Sequence, residues 1–186
     1  MMSLKRMFAV ALVWMLPVPG LAAQWSVDAN QSRVDFDYTR NGAPATGVFG
    51  SFSGSGAFDV IAPETAELTV QIDSRSIDLN DRMASAFATS AEWFDSSQHR
   101  YITYKLTGLK PRPDGRYDAE GMLTLRGQTK PVAAVIALGF DGQTATATGV
   151  VSLNREDYLL GVGPSSMFVE IGTEVAVRFE LRATQQ

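Results

Sequence analysis

Several stretches of this chain place an apolar side chain at every second position, and that period commits it to strands with one dry face and one wet face. Across 32–40, Val34, Phe36 and Tyr38 alternate with Arg33, Asp35, Asp37 and Thr39; across 67–73, Leu68, Val70 and Ile72 alternate with Glu67, Thr69, Gln71 and Asp73. A strand sends successive side chains to opposite faces, so each stretch buries one side. The same rule holds for Ile102, Tyr104 and Leu106, for Tyr117, Ala119, Gly121, Leu123 and Leu125, and most cleanly for Val175, Val177, Phe179 and Leu181 against Glu174, Arg178, Glu180 and Arg182. Stretches 132–140 and 145–153 alternate more weakly. Over 47–60, Val48, Gly50, Phe52, Gly54, Gly56 and Phe58 fall on one face, and Phe49, Ser51, Ser53, Ala57 and Asp59 on the other. Glycines at alternate positions of a long strand mark sharp bending or the close approach of another backbone or a ligand.

Turn chemistry separates these stretches. Asn41-Gly42, Pro113-Asp114-Gly115 and Asp141-Gly142 lie between strand candidates, where residues that tolerate positive φ are needed. One segment departs from period two. Between Asn80 and Phe94, residues Ala84, Phe87, Ala88 and Ala91 follow helical spacing, with Asn80 or Asp81 available as N-cap. The expected fold is all-β, an antiparallel barrel of about eight strands with one short α-helix inserted after the third or fourth. No linker, repeat or low-complexity tract announces a second domain.

The first two dozen residues read differently. Lys5 and Arg6 precede an apolar stretch from Met7 to Leu16, Pro17 and Pro19 break it, and Gly20-Leu21-Ala22-Ala23 offers small residues for cleavage after Ala22 or Ala23. A bilayer-spanning helix would need about 20 apolar residues. The expectation is therefore a secretory signal peptide over 1–23, a barrel domain over 24–186, a periplasmic destination and no membrane-spanning helix in the mature protein. The 186 residues contain no cysteine, which removes disulfides, thiolate catalysis and Cys-type metal sites. A formal net charge of −4 with both signs scattered along the chain argues against a nucleic-acid partner, which requires clustered Lys and Arg.

Chemistry-bearing residues are sparse. His99 is the sole histidine and reads as a surface loop residue; no Gly-x-Ser-x-Gly elbow supports a nucleophilic serine, and no carboxylate cluster has metal-ligand spacing. The chain is read as a non-enzyme with no metal site. An eight-stranded barrel either fills its interior with side chains or holds one small ligand. Its inward positions mix Phe36, Phe52 and Phe58 with Gly50, Gly54, Gly121, Ala119, Ala147 and Gly149, and small inward residues leave space that aromatics line. Pattern alone leaves the filled core and the apolar tunnel equally open. At the helix start, Asp78, Asp81 and Arg82 read as capping and surface pairing, with Arg82 at a ligand head group as the functional option.

The order of these pieces resembles the YceI-like family, exported lipocalin-like barrels that bind polyisoprenoid chains. The matching residues run from Trp25-Ser26-Val27-Asp28 through Gly47-Val48-Phe49-Gly50-Ser51-Phe52, Phe94-Asp95 and Ile102-Thr103-Tyr104 to Asn154-Arg155-Glu156-Asp157-Tyr158. The most specific block is Leu123-Thr124-Leu125-Arg126-Gly127-Gln128-Thr129-Lys130-Pro131. The chain departs from the family pattern at Gln31, at Arg82-Met83-Ala84-Ser85-Ala86, at His99-Arg100 and at Leu159-Leu160-Gly161. The resemblance implies a lipid-binding protein that transports or stores an isoprenoid of the quinone or polyprenyl phosphate type, with no further cofactor. The tunnel wall is then expected to comprise Phe36, Phe52, Phe58, Phe87, Phe94, Ile102, Leu123 and Leu125, with the head group at Arg82. A membrane cytochrome of the b561 type is the implied partner in quinone traffic, and the oligomeric state, a homodimer included, stays open. Two other readings stand beside this one: a filled-core barrel that binds a partner in the cell envelope, and an outer-membrane barrel whose apolar face turns outward.

Overall fold

A computed structural model describes residues 23–59, 62–164 and 169–186. The export segment expected over 1–23 lies outside them except for Ala23, which opens the first strand. Eleven strands form one sheet: β1 (Ala23–Val27), β2 (Arg33–Arg40), β3 (Ala43–Phe49), β4 (Phe52–Phe58), β5 (Glu67–Asp73), β6 (Ile77–Asp78), β7 (Tyr101–Pro111), β8 (Tyr117–Leu125), β9 (Gln128–Asp141), β10 (Thr144–Asn154) and β11 (Glu174–Gln185). Three pairs act as single interrupted staves. β1 and β2 both lie along β11, β3 and β4 lie along β2 and β1 respectively, and β5 and β6 lie along β4 and β3. Eight antiparallel staves in chain order therefore close into a barrel where β11 meets β1 and β2.

The alternation read from the sequence turns its apolar side inward. Val34 and Phe36 of β2, Val70 of β5, Ile102 of β7, Leu125 of β8 and Leu181 of β11 are all buried in one core. Outside, Arg178 of β11 donates to Asp35 (3.1 Å) and Asp37 (2.9 Å) of β2, a charged ladder facing water. Charge outside and apolar side chains inside is the reverse of the outer-membrane arrangement. Two hairpins are two-residue turns with both residues at positive φ: Asn41-Gly42, as expected, and Arg126-Gly127, where arginine takes a conformation that turn residues such as Asn adopt more readily.

The structure corrects the reading of 47–60 as one strand of constant phase. The chain bends at Gly50-Ser51, and the inward set passes from Gly47 and Phe49 in β3 to the even positions of β4. Gly50 is exposed, and Phe49, assigned to the outer face, is buried at the core. The helix is also shorter than its periodicity. α1 spans Arg82–Ala88, capped by the Asp81 carboxylate, which accepts from the N–H groups of Met83 (2.8 Å) and Ala84 (3.1 Å). It stops because the Thr89 hydroxyl folds back on the Ala86 carbonyl and the Ser90 N–H bonds Phe87 in a tighter turn. Ala91 and Phe94 lie in the turns that follow. The helix enters after the third stave, and α1, the Arg126-Gly127 hairpin and the β10–β11 connection all gather at one end of the barrel, the helix end.

At the break between β5 and β6, Asp73 receives the side chains of Arg75 (3.0 Å) and Arg100 (3.0 Å), while the buried Ser74 hydroxyl pairs with Ser96 (2.9 Å). Hydrogen bonding from the Arg75 side chain, helped by the Arg75 N–H and by Arg100, holds the Asp73 carboxyl well below the usual carboxylate range. A depressed carboxylate stabilises the fold above its unfolded value near 4 and loses that contribution as pH falls through the folded value. Asp73→Asn is expected to cost about 1 kcal/mol at neutral pH, because both arginines are half-exposed and can return to water. The difference in unfolding free energy between variant and wild type should shrink steadily from pH 5 to pH 2 in denaturant titrations.

Candidate functional site

The barrel is not filled. A cavity of about 620 Å³ runs along its axis, and every stave from β2 to β11 contributes inward apolar side chains to its wall. That size lies within the range of natural ligand sites. At the end opposite α1 aromatics gather: the rings of Phe58 and Phe140 stack with centroids 5.2 Å apart, and Trp25 meets Phe140 edge-on at 6.1 Å, with Phe140 partly exposed. At the helix end, Phe36 and Phe49 (5.4 Å) continue into Phe94 (5.9 Å from Phe49), beneath α1. Met83 and Phe87 of α1 belong to the wall and yet are 79% and 45% exposed, so the lumen reaches the surface between them.

Small inward residues leave less space than the pattern implies. A β-carbon on Gly121 would lie 2.3 Å from the Tyr104 ring, on Gly149 2.7 Å from Phe179, and on Gly47 2.3 Å from Phe36. Each glycine accepts a neighbouring aromatic ring laid against the barrel wall. The rings are thus drawn out of the axis and the lumen stays open along it. The filled-core reading does not survive this geometry.

The cationic groups of the wall lie at the helix end, while Glu67, at the start of β5, lines the opposite end. Arg40, the last residue of β2, is half-buried beside Tyr38, with Asp81 near enough to act on the Tyr38 phenol. Burial pushes the Tyr38 phenol up, outweighing the Arg40 charge that pulls it down. Arg155 is buried, with its guanidinium 5.6 Å from the centre of the Trp93 ring, and its N–H groups donate to backbone carbonyls of the β10–β11 connection and to the Glu156 carboxylate (3.3 Å). Deeper in the lumen stands Tyr104, whose phenol burial raises to about 12, so it stays protonated across physiological pH. Among the described residues, no group of three His, Asp or Glu side chains could hold a metal ion. His99 is half-buried with its ring against Gly127 of the β8–β9 hairpin, outside the lumen wall.

Compared with known families, residues 25–183 match the YceI-like domain. The chain belongs to the YceI-like family. Among its relatives are a UPF0312 protein of Vibrio cholerae, 28% identical over 92% of this chain and 96% of the relative, and one of Ectopseudomonas mendocina, 31% identical over 81% and 85%. BcnA of Burkholderia cenocepacia shares the fold with a TM-score of 0.78 at 27% identity, covering 85% of this chain and 99% of BcnA. A polyisoprenoid binding domain from Saccharophagus degradans, implicated in plant cell wall breakdown, superposes with a TM-score of 0.70 at 18% identity, covering 89% and 99%.

On this YceI-like barrel, Phe36, Phe58, Phe87, Phe94, Ile102, Leu123 and Leu125 all stand in the lumen wall. Two expected residues are not among those lining it. Phe52, on the inward side of β4, packs into the core, and Arg82, on the first turn of α1, is exposed. Arg40, at the end of β2, lines the lumen there. Period two carries the inward face of β2 from Val34, Phe36 and Tyr38 straight to Arg40, so the alternation itself held the signal. Tyr104 was likewise visible as an inward residue, whereas nothing in the local sequence marks Trp93 as part of the wall.

Proposed function

We propose that this YceI-like protein is a periplasmic carrier or store that holds a single isoprenoid lipid chain in its lumen and carries out no catalysis. The observation that carries this reading is the continuous apolar cavity of about 620 Å³ reaching the surface at α1. Burying hydrocarbon gains about 0.8 kcal/mol per CH₂, so a wall with few polar groups suffices to bind a long chain. The polyisoprenoid binding domain from Saccharophagus degradans, which shares the fold, lends the isoprenoid class its support. On this reading residues 1–23 are a signal peptide cleaved after Ala22 or Ala23, and N-terminal sequencing of the periplasmic protein should start at Ala23 or Gln24. No described helix is long and apolar enough to cross a membrane.

Native mass spectrometry of the protein from its own cell envelope, followed by organic extraction, tests the reading directly. A stoichiometric isoprenoid supports it; a protein that stays empty after incubation with quinones and polyprenyl phosphates overturns it. An anionic head group would sit at the mouth against Arg40. For a polyprenyl phosphate probe, Arg40→Ala is expected to weaken binding by about tenfold, the loss of one charge-assisted hydrogen bond. Arg82→Ala should leave affinity within twofold in the same titration.

A further inference from the structure

The middle of the lumen holds one polar group that the fold has placed and left unpaired. Tyr104 projects inward from β7, opposite Leu123 of β8, with its ring flat against Gly121. A β-carbon at Gly121 would come within 2.5 Å of the Tyr104 hydroxyl oxygen as well as 2.3 Å of the ring, so this orientation exists only because a glycine interrupts β8 there. Along β7, Ile102, the preceding inward residue, lies toward the helix end, and Leu106, the next one, packs against the separate cluster of Leu109, Ala119 and Ile136 farther along the barrel. Tyr104 thus stands between the two. No described residue hydrogen-bonds its hydroxyl, and the oxygen is not among the buried unpaired atoms, so it faces open lumen. The cations of the wall, Arg40 and Arg155, are both at the helix end, at the mouth.

Building on the proposed isoprenoid reading, we propose that Tyr104 Oη donates a hydrogen bond to an acceptor oxygen on an uncharged ligand head that enters the barrel ahead of its tail. The class this selects is a neutral, carbonyl-bearing isoprenoid, that is, a prenylated quinone. A phosphate head is refused at this depth: taking an anion out of water costs several kcal/mol per ion, and no cation among the described residues lines the middle of the lumen to offset it. A carbonyl pays far less to leave water and recovers it through the Tyr104 hydroxyl. Depth of insertion and head-group charge are thereby linked, with neutral heads at Tyr104 and anionic heads at Arg40.

The test compares wild type with Tyr104→Phe on three probes of similar tail: a prenylated quinone, a polyprenyl phosphate, and squalene, which carries no oxygen. Titration by tryptophan quenching should show the quinone weakened about tenfold by the substitution, the worth of one such hydrogen bond, with squalene and the phosphate within twofold. Unchanged squalene binding also certifies that the variant is folded. In infrared difference spectra, the bound quinone's carbonyl stretch should lie lower on wild type than on Tyr104→Phe. Equal loss on all three probes, no loss on any, or identical carbonyl bands would overturn the assignment. A wild-type protein that binds none of the three would end the isoprenoid reading itself, an outcome separable from failure of Tyr104 alone.

Discussion

Ala147→Trp is expected to reduce isoprenoid loading by at least about a hundredfold while leaving the barrel folded. Ala147 sits on β10 between Leu138 of β9 and Leu181 of β11, and its side chain forms part of the lumen wall. An indole added there projects into empty space. It therefore avoids the overpacking that an equal enlargement of a filled core would bring. Gly149 and Gly121 are unsuitable for the same experiment, because Phe179 and Tyr104 already occupy the positions their side chains would take. An indole displaces roughly four or more methylene-sized groups of the bound chain, at about 0.8 kcal/mol each, and every 1.4 kcal/mol is tenfold in affinity. Lipid extracted from the purified variant would be quantified against wild type, with circular dichroism and thermal melting to certify the fold. Val150→Trp, on the same strand at a position 50% exposed on the outer face, serves as the control and should load normally. Full loading of Ala147→Trp would place the cargo outside the lumen and overturn the tunnel reading.

Where period two had a charged wet face to work against, as in β2 and β11, the sequence settled which side each residue takes. Two kinds of information escaped it. The first is phase. At Gly50-Ser51 the chain turns a corner and the inward set passes from odd to even positions, so the alternation before and after is regular but no longer continuous. That single bend moved Phe49 into the core and left Gly50 exposed. The second is what lies across the sheet. Gly121, Gly149 and Gly47 read as vacant space along the chain, and only the rings of Tyr104, Phe179 and Phe36 from neighbouring positions show that the space is occupied. Arg82 was placed at the mouth because it begins the helix, yet it is exposed and not among the residues that line the lumen. Arg40 followed from the alternation and needed only one more step along β2.

The largest effect on stability is expected at Arg155, whose removal should cost about 3–5 kcal/mol and lower the melting temperature by on the order of 10 °C. The side chain is 8% exposed, and its nitrogens donate to the carbonyls of Leu160, Gly161 (3.3 Å), Ile171 (3.0 Å) and Gly172 (3.0 Å). One guanidinium thus ties the turn after β10 to the approach to β11. Trp93 stacks on the same group and presses on Gly161, whose φ of +63° and 2.4 Å approach to the indole exclude any larger residue. Apolar replacement of a buried ion pair is often neutral because both charges leave together. Here the one ionic partner, Glu156 (3.3 Å), is half-exposed and can return to water, whereas the backbone carbonyls stay behind unpaired, so Arg155→Met should be nearly as damaging as Arg155→Ala despite its better fill. Arg155→Lys should recover less than half of the loss, because a single ammonium cannot reach carbonyls spread around a planar fork. Chemical denaturation of the three variants separates the possibilities. A stable Arg155→Met would assign the role to packing alone, whereas equal losses for Met and Ala would assign it to the carbonyls that tie the turn after β10 to the approach to β11.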